Sequence, residues 1–412
     1  MKGDTVYIWC DEAFDTVVFL RGDDAWILER ASYTGDHDSA LAKLFAPEVP
    51  KAGHDIKDTM RRLSERGIMT GGWVFDTALA AYLLDATASG YELERLCPQY
   101  CGYTLSHERE DGGQMSLLEE YAGRLTEYLQ KAASVACLEE AMRPRLEEYG
   151  MHTLYYDIEL PLCAVLAGME TNGFLVDREA LRLFGESLTG RIEALQSRIW
   201  DLAGGEFNIQ SPKQLGEVLF ERLRLPRGKK TKTGWSTNAD VLDKLKGGYP
   251  IVAAVLEYRE LTKLKSTYAD GLLKTIRPDG RIHTTFQMTV TDTGRLSSRE
   301  PNLQNIPVRR ELGAGIRRMF TAGPGNVLVD ADYSQIELRL VAHLCGDENM
   351  RRVFAENQDI HRMTAAQVFN IPEEMVTKEM RSAAKAVNFG ILYGIGAFSL
   401  SKDIGVSVAK AD

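Results

Sequence analysis

Arg381-Ser-Ala-Ala-Lys385-Ala-Val-Asn-Phe389-Gly-Ile-Leu-Tyr393-Gly394 is the stretch whose reading decides this chain. Arg381, Lys385, Phe389 and Tyr393 recur every fourth residue. At about 3.6 residues per turn they form one slowly drifting stripe along a helix. Two cations, an aromatic ring and a phenol on one stripe suit a nucleoside triphosphate, with charge for the phosphates and ring faces for the base. Some fifty residues earlier stands Val327-Leu-Val-Asp330-Ala-Asp332-Tyr333-Ser-Gln335-Ile-Glu337. Its apolar start predicts a short strand ending at Asp332. A carboxylate there suits a divalent cation, helped by the Tyr333 carbonyl, and Asp330 would share its strand face.

Each element has a plainer reading. A lone Asp at a strand end is more often the cap of the next helix. Cations at four-residue spacing are common on solvated helix faces. Gly390 and Gly394 beside the stripe are less ordinary, because a glycine inside a helix costs about 1 kcal/mol relative to alanine. They predict that something approaches the helix closely. His361 in Asp359-Ile-His361-Arg has a hydrogen-bonding ring suited to phosphate, and a structural histidine is the default alternative.

Composition sets the frame. The chain has 412 residues, 44% hydrophobic and 26% charged, ordinary values for a globular protein of several domains. Leu160–Met169 is among its longest apolar stretches and is too short to cross a bilayer. The cysteines at 10, 97, 101, 137, 163 and 345 are scattered, so free thiols are expected rather than a zinc site. The net charge of −10 hides a division. Residues 1–150 hold 15 Lys+Arg against 27 Asp+Glu, whereas the remainder holds 34 against 32, so a polyanion would meet the C-terminal part. Residues 222–232 alone carry six cations and no anion.

The first 35 residues read as a β-meander, Val6–Cys10, Thr16–Leu20 and Ala25–Leu28, with helical segments such as Thr77–Leu84 after it. Residues 101–116 read as an exposed loop. From about 156 the pattern is helical. Leu181, Phe184, Leu188, Ile192, Leu195, Ile199 and Leu202 keep a 3-4 spacing that Gly204-Gly205 ends. Ser211-Pro212 starts another helix, and 251–273 forms a third with Arg259, Lys263 and Lys265 along it. Arg281–Val290 has strand composition. Thr293-Gly294-Arg295 and Pro301-Asn302-Leu-Gln304-Asn305-Ile-Pro307 are polar loops, whose Arg, Asn and Gln side chains suit minor-groove acceptors.

Together these segments resemble the DNA polymerase I family, family A, across essentially the whole chain and most closely over 155–410. The resemblance implies an α/β exonuclease-like (ribonuclease H-like) domain at 1–155. It is followed at 156–412 by an α+β right-hand polymerase domain, with thumb at about 180–275, partial palm at about 276–346 and partial fingers at about 347–412. It implies template-directed addition of dNTPs to a primer 3′-OH by two-metal nucleotidyl transfer, with Mg²⁺ as cofactor, in replication and repair. Asp332 and Lys385 would be catalytic, and Asp332 with the Tyr333 carbonyl would hold metal. Arg309, Gln335, Glu337, His361, Arg381, Lys385, Phe389 and Tyr393 would bind the nucleotide, Glu337 by excluding the ribose 2′-OH. Arg259, Lys263, Arg295, Asn302, Gln304 and Asn305 would contact primer-template DNA. A bacterial cytoplasmic, nucleoid-associated location and a monomeric intact family member are implied as well.

Several departures qualify that expectation. In Gly53-His-Asp-Ile-Lys-Asp-Thr59 the family's second exonuclease carboxylate falls at Thr59. Lys131 and Val135 stand where the third motif needs Tyr and Asp. The early strands offer only the adjacent pair Asp11-Glu12, so the exonuclease-like domain is expected to be inactive. No His-Asp-Glu resembling the third polymerase motif appears before Asp412, and no 5′-nuclease domain is seen. A truncated hand is therefore expected, inactive alone or acting as a non-catalytic primer-template binder, with exposed apolar surface and a tendency to associate.

Overall fold

The computed structural model describes residues 5–105, 117–226, 230–231, 234–307, 311–404 and 406–411. Arg309, residues 227–229 and 232 of the basic run, and residues 106–116 of the loop lie outside the described residues. The chain divides into two compact units, Met1–Val327 and Leu328–Asp412.

The first unit opens with the expected meander. β1 (Val6–Cys10), β2 (Thr16–Arg21) and β3 (Asp24–Glu29) pair antiparallel, with Tyr7 opposite Leu20 and Val18 opposite Ile27. The Asp11 carboxylate closes the β1–β2 turn by accepting the amides of Asp15 and Thr16 at 2.9 and 2.8 Å. β4 (Lys51–Gly53) and β5 (Trp73–Asp76) then add in parallel, giving the order β3-β2-β1-β4-β5. Parallel strands need crossover helices, and Ile56–Glu65 provides one between β4 and β5.

Asp76 ends β5 and caps two helices. It accepts the amides of Ala78 and Leu79 at the start of Thr77–Leu84, and those of Asp55 and Ile56 at the start of Ile56–Glu65. Its carboxyl is buried, and that burial, with Asp55 beside it, pushes its pKa up. The helix Leu117–Glu148 covers β1 and β2. Phe75, Val135, Leu138, Met142 and Tyr155 are fully buried between sheet and helices. Helix Leu160–Asn172 packs on Ile56–Glu65 and belongs to the same core.

A second core in this unit forms where Arg178–Ala203 lies against Pro250–Lys263 through Leu188, Leu195, Ile199, Val252, Val255 and Leu261. The predicted punctuation is present. Gly204, at φ +72°, ends the first of these helices, and Ser211 Oγ caps Pro212–Glu217 through the Gln214 amide. The expected helix 251–273 is interrupted by a wider π-turn at Leu264–Ala269 before continuing as Asp270–Thr275. The strand read at Arg281–Val290 is two pieces, Arg281–Ile282 and Thr285–Gln287, and the latter forms a hairpin with Ser297–Arg299.

The second unit is helical, with Ile336–Cys345, Glu348–Ala355, Ile360–Phe369, Lys378–Leu392 and Ala397–Ile404. Leu338, Ala342, Val353, Phe354 and Ile360 form one small core, and Ala365, Val376 and Ala384 another. The strand expected over Val327–Val329 is not formed. Composition favours it, but a strand needs a partner for its N–H and C=O groups, and no ladder includes these residues among those described.

Candidate functional site

The helix Lys378–Leu392 positions the site. Thr377 caps it by accepting the Met380 amide at 3.2 Å, and Ala384 and Val387 bury its inner face. The opposite stripe carries Arg381, Lys385 and Phe389, with Tyr393 as the residue closing the last turn. A cavity of about 390 Å³ is lined by these first three and by Asp332, Gln335, Glu337 and His361, together with Tyr333 and Ser334. Its size is that of a small-ligand pocket. The resemblance therefore nominated residues that the fold does bring together.

Their interactions define what they can do. The Arg381 guanidinium donates through Nε to Asp359 Oδ2 at 2.5 Å. Asp359 also caps the helix Ile360–Phe369 by accepting the amides of His361 and Arg362. Burial alone would raise the Asp359 carboxyl, but the Arg381 bond and these amides hold it below the usual carboxylate range. His361 is buried, with Nδ1 2.9 Å from the Asn388 side-chain amide, which also accepts the Thr364 hydroxyl. That burial pushes its pKa down, so its ring is neutral at physiological pH. Lys385 Nζ stands 5.8 Å from the Phe389 ring centroid, and that ring lies 5.9 Å from His361. Gln335 is in the left-handed region at φ +53°, and its buried Oε1 has no hydrogen-bond partner. The Tyr393 hydroxyl donates to Glu337 Oε2 at 2.9 Å. Asp359, Asn388 and Thr364 were not singled out in the sequence. Only the helix-capping position of Asp359 signalled a role.

The glycines resolve differently from expectation. A Cβ on Gly390 would meet Ile395 Cγ2 at 2.5 Å, so the close approach there comes from the chain itself. Gly394, at φ +67°, lets the chain turn out of the helix.

Among the described residues, no group of three His, Cys, Asp or Glu side chains is placed to hold a metal ion. Asp332 and the Tyr333 carbonyl are both on exposed residues. One carboxylate and one carbonyl fit a Mg²⁺ held chiefly by nucleotide phosphates and water, and do not by themselves make a two-metal site.

In the first unit, Arg295, Asn302, Gln304 and Asn305 are exposed on loops at the hairpin Thr285–Arg299 and just after it. Gln304 Nε2 donates to the Leu296 carbonyl at 3.1 Å, and Asn302 Oδ1 accepts the Asn305 amide at 3.2 Å. Lys263 is exposed, whereas Arg259 is half-buried, with both of its hydrogen bonds to Thr237. At the exonuclease-like sheet, Thr59 and Val135 are buried. Lys131 Nζ pairs with Glu127 at 2.7 Å and sits 5.4 Å from the Trp9 ring, which stacks on Tyr128 at 4.2 Å.

Comparison with known proteins bears on the family and the fold. The family model described as DNA polymerase family A matches residues 178–412, and one described as 3'-5' exonuclease matches 15–130. DNA polymerase I of Geobacillus stearothermophilus is 44% identical over 382 residues, which is 90% of this chain and 43% of that protein. DNA polymerase I of Bacillus subtilis (strain 168) is 42% identical over 374 residues, 88% of this chain and 42% of that protein. The chain thus spans less than half the length of these curated relatives. A solved POL domain of Pol1 from M. smegmatis, in complex with DNA primer-template and dNTP, superposes with a TM-score of 0.86 at 35% identity, covering 98% of this chain and 70% of that one. The family model covers more than half of the sequence, and the chain belongs to DNA polymerase family A.

Proposed function

We propose that this chain carries the dNTP-binding and primer-template-binding surfaces of a DNA-directed DNA polymerase. The observation that carries the reading is the single cavity lined by Asp332, Glu337, His361, Arg381, Lys385 and Phe389. The arrangement supports defined roles. Arg381 and Lys385 supply the positive charge a triphosphate needs, and Arg381 exchanges Asp359 for phosphate. The neutral His361 ring offers a hydrogen bond rather than a charge, and Phe389 offers an apolar face. Lys385 is also placed to neutralise charge developing on the leaving pyrophosphate. Glu337, held by Tyr393, is placed to exclude a 2′-hydroxyl. Asp332 and the Tyr333 carbonyl would hold one Mg²⁺ with the phosphates, and bound Mg²⁺ would supply Lewis-acid stabilisation of the reacting phosphate. Arg295, Asn302, Gln304 and Asn305 would meet the minor groove, and Lys263 the duplex backbone. Residues 1–155 form the exonuclease-like part and 156–412 the polymerase part of this assignment.

The exonuclease-like part is proposed to be structural. Val135 offers no donor, Thr59 offers a neutral hydroxyl in place of a carboxylate, and Lys131 stands one helical turn from Val135. Shortening of a labelled primer in Mg²⁺ without dNTPs would refute this.

A second reading is a non-catalytic primer-template binder, and it rests on the exposed polar side chains of Arg295, Asn302, Gln304 and Asn305. Primer extension with Mg²⁺ and four dNTPs separates the two. Extension abolished by Asp332→Ala supports the polymerase, and retained binding without extension supports the binder. Neither binding nor extension refutes both.

A further inference from the structure

The hairpin Thr285–Arg299 carries Arg295 toward its tip; through Phe286, Met288 and Leu296 it packs on the core between the sheet and its helices, and polar contacts tie it at separate points besides. Behind the strand Thr285–Gln287 lies a cleft of about 500 Å³, lined by Asp55, Asp76 and Tyr91 on one side and by residues 285–290 on the other. At the base of the hairpin, the Phe286 amide donates to Glu170 Oε1 at 2.7 Å, and the same oxygen accepts Lys57 Nζ at 2.7 Å. Midway, Met288 Sδ lies 3.7 Å from Cys163 Sγ. Toward the tip, the hydroxyl of Tyr82, on the helix Thr77–Leu84, donates to the Thr291 carbonyl at 2.7 Å.

We propose that Tyr82 is a positioning residue for primer-template binding, acting on Arg295 through Thr291. Thr291 connects the two. Its carbonyl is held by Tyr82, and its own hydroxyl donates to the Arg295 carbonyl at 2.6 Å. The four residues between the tie and Arg295, counted inclusively of it, are all exposed, so lateral packing does not set their position. Gly294 turns at φ +77°, a conformation that adds no rigidity of its own. Tyr82 itself is rigidly seated, 3% exposed and edge-on to the Tyr91 ring at 5.8 Å. A fixed hydroxyl thus anchors a loop that would otherwise lose conformational entropy each time it met DNA. On this reading, the module that lost its carboxylates keeps a role as the loop's anchor. The inference rests on the proposed contact between Arg295 and primer-template.

The test is a double-mutant cycle read by fluorescence anisotropy of a labelled primer-template, with hydrogen exchange of the free protein beside it. Tyr82→Phe keeps the ring and removes one hydroxyl. It is expected to weaken binding about fivefold, the worth of one net hydrogen bond. Thr291→Val, which removes the second hydroxyl of the relay, is expected to do the same. Arg295→Ala is expected to weaken binding further, and adding Tyr82→Phe to it is expected to change nothing more. In the free protein, Tyr82→Phe is expected to raise amide exchange over residues 289–296 and to leave β1 and β2 unchanged. Unchanged binding by Tyr82→Phe, additive effects in the cycle, or unchanged exchange at 289–296 would overturn the proposal. If the unmodified chain does not bind the duplex, the proposed function falls, and the exchange measurement still decides whether Tyr82 orders the loop.

Discussion

The hydroxyl of Tyr393 donates to Oε2 of Glu337 at 2.9 Å, so the residue closing one helix fixes a carboxylate in the first turn of another. A free glutamate would rotate away from an incoming 2′-hydroxyl, whereas a tethered one excludes it. Glu337→Ala is expected to narrow the difference in affinity between ATP and dATP by tenfold or more. Tyr393→Phe, which loses one net hydrogen bond, is expected to narrow it by about fivefold. Competition titrations of the two nucleotides check both.

The pairing of Arg381 with Asp359 predicts an asymmetry. Asp359→Asn removes a competitor for the guanidinium, and Arg381→Ala removes the guanidinium itself. The first is expected to leave dNTP affinity unchanged or raise it, and to change stability by less than about 1 kcal/mol, because asparagine still caps the helix and the lost ion pair is partly exposed. The second is expected to weaken dNTP binding by roughly 10- to 100-fold, the range of a charged hydrogen bond. Isothermal titration and urea unfolding distinguish them.

The stripe on the helix Lys378–Leu392 was legible because periodicity alone puts Arg381, Lys385 and Phe389 on one side. Their partners were not legible. Asp359 and Asn388 meet Arg381 and His361 only because two helices pack together, which spacing within one helix cannot show. Gly390 marks a close approach, but of Ile395, because the turn after the helix folds back. Val327–Val329 has strand composition without a partner, and composition says nothing about pairing. Arg259 read as a cation for the duplex backbone and is bound to Thr237, because exposure is a tertiary property. The meander Val6–Leu28 was readable from its alternation and turns. The parallel addition of β4 and β5 depends on crossovers that no local pattern reveals.

The ion pair of Lys57 with Glu170 is buried, at 7% and 0% side-chain exposure. Lys57→Met is expected to cost about 3 kcal/mol by leaving the carboxylate uncompensated, near the low end for such pairs because Arg61 Nε remains 3.5 Å from Oε2. Adding Glu170→Gln, whose carbonyl still accepts the Phe286 amide, is expected to restore part of the loss. Urea unfolding of the single and double variants gives both values.

His361 sets a pH dependence with a defined sign. Burial holds its folded-state pKa below the ordinary value, so the unfolded chain takes up the proton first. Its stabilising contribution is intact above about pH 6.5 and declines as the pH falls through that value. His37 is also held low by burial and adds to the same trend. Stability at pH 5.5 is expected to be lower than at 7.5, with the difference reduced in His361→Gln. Equal stability at both pH values would refute this.

Ile336, Leu340 and Leu344 recur every fourth residue on one helix at 44, 55 and 82% exposure, with Leu328 at 56% and Val329 at 84%. Such an apolar stripe is expected to drive association. Light scattering of the purified chain should show species above the monomer, reduced by Leu340→Glu/Leu344→Lys. A monodisperse monomer would contradict it.

The most direct test of the account is dNTP binding to the purified chain in the presence of primer-template and Mg²⁺, compared with Lys385→Ala. Lys385 lines the cavity and is exposed on the stripe, so its loss should spare the fold. Saturable binding that weakens at least tenfold in Lys385→Ala is predicted. Binding of equal strength in the two proteins, or none in the unmodified chain, would show that the helix Lys378–Leu392 is not a triphosphate-binding surface here.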